Sequence, residues 1–180
     1  MNKEEIKQGL LFKHEEFIKL FSGMTEKDFM IAINDKWTAG QQLDHIIRSV
    51  KPLTQIFLFP SFLIRLVFGK ANRPSKDYES LVKKYLSKIE QGGKASGRFV
   101  PQTIPFRQRE NLTKELFKLI NKLVVQVDGF SEEQLDELIL PHPLLGKLTL
   151  REMLCFTIYH VEHHHAITLR NIEFASRISD

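Results

Sequence analysis

From Leu150 to Asp180 the chain runs without a glycine or a proline, and its apolar residues recur mostly at three and four positions, not at two. That spacing is the period of a helix buried along one face. Thr149 and Glu152 have the spacing of a capping box, in which each side chain satisfies a backbone N–H of the first turn, while Leu148 and Met153 are spaced to staple the chain entry. A helix is therefore expected from Thr149 to about Phe174. Any fold built around it has to be helical, because no strand pattern of comparable length competes.

The same period recurs upstream. Ile6, Leu10, Phe17, Phe21 and Met24 form one stripe of a first helix over 3–22. A second begins at Thr38, which forms a capping box with Gln41, and its stripe is Leu43, Ile46, Ile47, Val50, Leu53 and Phe57; Pro52, lacking an N–H, is expected to bend it. A third covers about 110–128 with Leu112, Leu116, Leu119, Ile120, Leu123 and Val127 inward, and a short helix opens at Ser131 with Gln134 in the box position. The reading is an all-α fold in one domain, 1–180. About fifty residues cross from the second helix to the third and contain one extra helix, 75–91, with Tyr78, Leu81, Val82, Tyr85, Leu86 and Ile89 inward. The apolar run 56–68 is expected to be core or an interfacial surface, since Pro60 and Arg65 break it well short of the roughly 20 residues that cross a bilayer.

Composition narrows the class. With 180 residues, 42% hydrophobic and 27% charged, the chain can bury a core without disulfides or a structural metal. Its one cysteine, Cys155, excludes a disulfide framework and a multi-cysteine metal site, and points to a reducing, cytoplasmic setting. The mixed charges of the N-terminus predict neither a signal nor a transit peptide. The net charge of +4 is uneven: 65–109 holds 11 Lys/Arg against 3 Asp/Glu, a segment suited to an anionic ligand. It has no nucleic-acid motif and no interleaved aromatics, so neither nucleic acid nor membrane is an expected partner. A small-molecule substrate is.

Four histidines fall within 160–165. At 100° per residue, His160 and His164 share the inward arc with Met153, Thr157, Ile167, Thr168 and Asn171, while His163, His165 and Glu162 point elsewhere. Imidazoles at i and i+4 can aim at one centre, a spacing by which helices present nitrogen to zinc, nickel, copper or iron. The zincin pattern H-E-x-x-H is absent, and Glu162-x-x-His165 is only half of a di-iron motif. A third ligand has to come from another element. His45, early in the second helix, His14 on the first stripe's shoulder, and His142 between two prolines compete for that role. Cys155 lies about 140° from His160 and is expected to be a packing residue.

Lys36-Trp37-Thr38-Ala39-Gly40-Gln41-Gln42-Leu43-Asp44-His45, followed far downstream by Gly146-Lys147-Leu148-Thr149-Leu150-Arg151-Glu152 and His160-x-x-His163-His164, resembles the DinB-like superfamily over nearly the whole chain. The resemblance implies an up-down-down-up four-helix bundle with a long crossover between its second and third helices, and a divalent metal, zinc or nickel, on His45, His160 and His164. It also implies chemistry with a low-molecular-weight thiol such as bacillithiol, mycothiol or glutathione: a metal-dependent S-transfer to a small electrophile, with a metal-dependent hydrolase or a non-catalytic, stress-related binding module as alternatives. Relatives often pair, so a homodimer is expected. Lys83, Lys84 and Arg98 are the expected anion contacts. Ala166 and Ile167 stand where relatives often have a small residue and a glutamine, so a polar contact behind the ligands is expected to be missing. The catalytic residues are unknown.

Overall fold

The computed structural model describes residues 1–33 and 36–179. Four long helices, α1 (Lys3–Phe21), α3 (Ala39–Ile56), α6 (Arg109–Val127) and α8 (Leu150–Ser179), pack around one apolar core, with α2 (Glu26–Met30), α4 (Ser61–Phe68), α5 (Tyr78–Glu90) and α7 (Glu132–Glu137) between them. Contacts along the helices give their directions. Lys13 meets Glu162 and Arg151 donates to the carbonyl of Met1, so α1 and α8 run parallel. Lys7 meets Asp128 while Arg109 donates to Met24, so α6 opposes α1. Lys51 meets Glu115 and Phe57 packs on Phe130, which sets α3 parallel to α6. The order is up-down-down-up.

Local chemistry explains where these helices start. Thr38 accepts from Gln41 N at 3.2 Å while Gln41 Oε1 accepts from Thr38 N at 3.0 Å, and Ser131 with Gln134 and Asn2 with Glu5 repeat the box. Each box satisfies two of the four N–H groups that a helix start leaves free. The stripes then bury: Ile6, Leu10, Phe17 and Phe21 on α1, Leu43, Ile46, Ile47, Val50 and Leu53 on α3 with Phe57 at its C-cap, and Leu116, Ile120, Leu123 and Val127 on α6 are inside, while Leu112 and Leu119 are half-buried at the edge of the α6 stripe. A Cβ on Gly40 would stand 2.6 Å from Cε1 of Phe29, so α2 can close against α3 only because residue 40 has no side chain.

The crossover differs from expectation in its helix content. It holds two helices, not one: the chain turns by 110° between α3 and α4, with Pro60, whose fixed φ suits a helix entry, at the N-cap of α4. Of the two readings of the run 56–68, the exposed surface fits better than the core, because only Phe57 and Ile64 are buried, whereas Leu58, Phe59, Phe62, Leu66 and Val67 are exposed. In the later connection, from α7 to α8, Pro141-His142-Pro143 belongs to a hairpin. Strands β1 (Ile139–His142) and β2 (Gly146–Thr149) pair antiparallel from Ile139↔Thr149 to His142↔Gly146. Four-residue strands are too short to print a period of two, and Gly146, at φ +78°, supplies the left-handed turn. On α5, Leu81 and Tyr85 are buried but Leu86 is exposed, since that helix packs one face on α8 and leaves the other to solvent. No single helix among the described residues is long and apolar enough to cross a membrane.

A buried ion pair fastens the crossover to the bundle. Glu152 forms the expected box with Thr149, accepting from Thr149 N at 2.9 Å, and also receives both Nη atoms of Arg73, at 2.6 and 2.9 Å, and Lys76 N at 2.8 Å. Nearby, Ser75 Oγ bonds Asp136, which with Glu132 also holds the Arg151 guanidinium.

Candidate metal centre

The antiparallel pair α3 and α8 carries three buried histidines to one point. His45 is 5%, His160 7% and His164 6% exposed. Nε2 of His160 lies 3.2 Å from Nε2 of His45 and 3.1 Å from Nε2 of His164. His160 and His164 meet because they are one turn apart, and His45 joins them because α3 crosses α8 at that height.

Their hydrogen bonds fix which nitrogen carries the proton. Nδ1 of His45 lies 2.7 Å from the carbonyl of Phe99, and Nδ1 of His164 lies against Oε1 of Gln42. A carbonyl oxygen only accepts, so both Nδ1 atoms donate and both Nε2 atoms present bare lone pairs. A proton on Nε2 of His160 could satisfy one neighbour and would leave the other lone pair unmet. A divalent cation satisfies all three. Zn–N bonds of about 2.0–2.1 Å at tetrahedral angles place nitrogens about 3.3 Å apart, close to the spacing seen, so the donor set fits such an ion. Burial first, then the neighbouring imidazoles, pushes His160 and His164 far below the ordinary histidine value. Burial also lowers His45. All three are thus held neutral, the form that binds metal.

A supporting layer holds the ligands. Asp44, buried beside His45, accepts from Arg48 Nε at 2.6 Å and from Gln102 N at 3.1 Å, and Arg48 reaches the carbonyl of Arg98. These bonds tie the 98–102 loop to α3 and so bring the Phe99 carbonyl onto His45. Gln42 is the polar contact expected to be missing after Ala166 and Ile167; it comes from α3 instead. Its signal in the sequence is its place three residues before His45, on the same face of a helix. Trp37 covers the cluster, 4.9 Å from the His45 ring and nearly parallel to His164.

A cavity of about 310 Å³ opens from His45 and His160. Of the expected anion contacts, Arg98 lines it, together with Lys94. Lys83 lies instead on an outer groove with Tyr78 and Tyr159, and Lys84 donates its Nζ to the carbonyl of Leu145 at 2.7 Å. His14 and His142 stand apart from the three-histidine cluster but line the same cavity. His163 and His165 are half-buried outside that cluster, and Glu162 pairs with Lys13. Cys155 is buried away from the cavity lining, and burial pushes its thiol up to about 11, leaving it protonated and a poor nucleophile at neutral pH.

No curated protein and no solved structure gives a significant match to this chain. A sequence family does: its profile aligns with residues 10–168, which takes in Trp37, the Thr38 cap, all three histidines and Gln42. With that span, and with the bundle and the histidine cluster in the places the motifs implied, the chain belongs to the DinB superfamily.

Proposed function

We propose that the chain is a metal-dependent enzyme that transfers a low-molecular-weight thiol to a small electrophile. The observation that carries this reading is the convergence of three buried imidazole Nε2 atoms, two of whose rings line a cavity of about 310 Å³. A divalent transition metal held there, zinc or nickel, supplies the Lewis acidity that lets a thiol ionise near neutral pH. The chain does the rest. His45, His160 and His164 would hold the ion, and Val50, Leu53 and Met153 give the cavity beside it an apolar wall. Arg98 and Lys94, on the loop held by Asp44 and Arg48, receive the carboxylates of a thiol such as bacillithiol, mycothiol or glutathione. Among the described residues lining the cavity none is Asp or Glu. A thiol, with an intrinsic pKa of about 8.5, ionises on a metal more readily than water does and needs no carboxylate beside it, so the cavity favours transfer.

The test is turnover. Metal-loaded protein is offered bacillithiol, mycothiol and glutathione with a chlorodinitrobenzene as electrophile, beside a His160→Ala/His164→Ala variant. Thiol-dependent turnover by the wild type alone is the expected result. Equal rates for both proteins with every thiol reject the transferase and leave a ligand-binding module, while water-only cleavage of an ester or amide assigns a hydrolase.

The same proposal places the protein in a reducing compartment such as the cytoplasm and pairs it through α4. Leu58 and Phe59 just before α4, and Phe62, Leu66 and Val67 on it, are exposed apolar side chains that a second copy would cover. Sedimentation at micromolar concentration should give the dimer mass, and Leu66→Glu should return the monomer. A wild-type monomer removes the pairing.

A further inference from the structure

The cavity beside the three histidines is mostly apolar, walled by Val50, Leu53, Ile56, Leu140, Met153 and Phe156, and it is lined by a histidine that the metal centre does not use. His14 is 1% exposed. Its Nδ1 lies 2.8 Å from the carbonyl of Leu10, one turn back on α1. That carbonyl can only accept, so Nδ1 carries the proton and Nε2 presents a bare lone pair. Nε2 has no partner among the described residues. Burial keeps the ring neutral, lowering its pKa to about 4, so Nε2 does not gain a proton of its own near neutral pH.

A buried acceptor without a donor weakens the fold, and such groups are uncommon in native proteins. A leucine or phenylalanine at position 14 would continue the α1 stripe without that penalty. His142, on the hairpin, faces the cavity with the opposite polarity. The backbone N–H groups of Leu144 and Leu145 donate to its Nδ1 at 3.1 and 3.0 Å, so its own proton sits on Nε2. His14 is therefore the histidine in this cavity, outside the metal cluster, that is left as a pure acceptor. The volume of about 310 Å³ is about twice that which encloses a benzene ring, enough for two fused rings.

We propose that His14 is a ligand-binding residue whose Nε2 accepts a hydrogen bond from a hydroxyl or N–H on an otherwise apolar, one- or two-ring molecule held in this cavity. The inference rests on taking the cavity as the place of the electrophilic substrate, but it needs no metal. It assigns a specificity: a ring bearing a donor is taken in preference to the same ring without one.

The experiment uses 2-naphthol and 2-methylnaphthalene, which differ in a hydroxyl against a methyl. Their binding to the full-length, chelator-treated protein is measured by calorimetry for the wild type, His14→Phe and His14→Gln. Loss of the acceptor in His14→Phe is expected to weaken 2-naphthol about tenfold and leave 2-methylnaphthalene unchanged or tighter. His14→Gln, which keeps an acceptor, should restore the preference. If His14→Phe does not fold, His14→Leu takes its place. Equal weakening of both compounds, an unchanged affinity for 2-naphthol, or no binding of either up to its solubility overturns the assignment; the second is also the result if an internal water alone satisfies Nε2. Because metal is absent throughout, failure here leaves the three-histidine centre standing, and loss of that centre leaves this test intact.

Discussion

His160→Ala/His164→Ala is expected to abolish metal binding, lowering affinity for zinc or nickel by at least about a thousandfold. The magnitude follows from structural zinc sites, where about 10–16 kcal/mol is shared over four donors, or about 3 kcal/mol for each. Removing two of three nitrogens then exceeds 4 kcal/mol, and every 1.4 kcal/mol is a factor of ten. Trp37 is the chain's one tryptophan, and its ring lies 4.9 Å from that of His45. Nickel or copper added to wild-type protein should quench its emission in a saturable way that a chelator reverses, and the double variant should not respond. Elemental analysis of both proteins gives the stoichiometry. Gln42→Leu separates ligation from orientation: it leaves the three nitrogens but frees Nδ1 of His164, so affinity should fall about 10–100-fold without vanishing. Wild-type protein holding under about a tenth of an equivalent after incubation with zinc and with nickel would refute the centre.

How much of this centre could be read from the letters depends on the range of the interaction. The His160–His164 pair is local to one helix, so its spacing declared it. His45 belongs to a helix more than a hundred residues away and lies off that helix's main apolar stripe, where a histidine is ordinarily a surface residue. Only the motif resemblance joined it to the others, because nothing in periodicity states which helices will cross or at what height. Gln42 and the Phe99 carbonyl were hidden for the same reason, the second doubly so, since a backbone acceptor leaves no residue-type signal. The helices were legible where caps and stripes agree, as at Thr38–Gln41, Ser131–Gln134 and Thr149–Glu152. What the pattern missed was short or decided by packing. The α2 helix has a single turn, the β1–β2 hairpin is below the length at which alternation shows, and the exposed face of α4 carries the same residues as a core. Hydrophobicity cannot tell a buried stripe from an uncovered one.

Glu152 was legible as a cap, and its second role predicts the largest effect on stability. The carboxylate is fully buried and takes both Nη atoms of Arg73 and the N–H groups of Lys76 and Thr149. Burial alone would raise its pKa, but these partners outweigh it and hold the group below the usual carboxylate value. Removing one member of a buried pair costs about 3–5 kcal/mol. Arg73 is one-third exposed and can regain water, so Glu152→Ala should lie near the lower end, about 3 kcal/mol. For a chain of this size each kcal/mol moves the midpoint about 2–4 °C, so thermal unfolding at pH 7 should begin roughly 10 °C earlier. The pH dependence has a definite sign. A carboxyl depressed in the folded state and ordinary, about 4.3, in the unfolded state stabilises fully above that unfolded value, and the contribution fades as pH falls through the folded one. The gap between wild type and Glu152→Gln should therefore be wide at pH 7 and narrow toward pH 3. Arg73→Ala should behave alike at pH 7, because it strands the same carboxylate. A Glu152→Gln protein that melts with the wild type at pH 7 would show that Arg73 is solvated in solution and that the crossover is held by its apolar contacts alone. Tyr85, Lys94 and Arg98 reach the cavity from that same crossover, so a loosened Glu152 clamp should also weaken 2-naphthol while zinc, held between α3 and α8, stays bound.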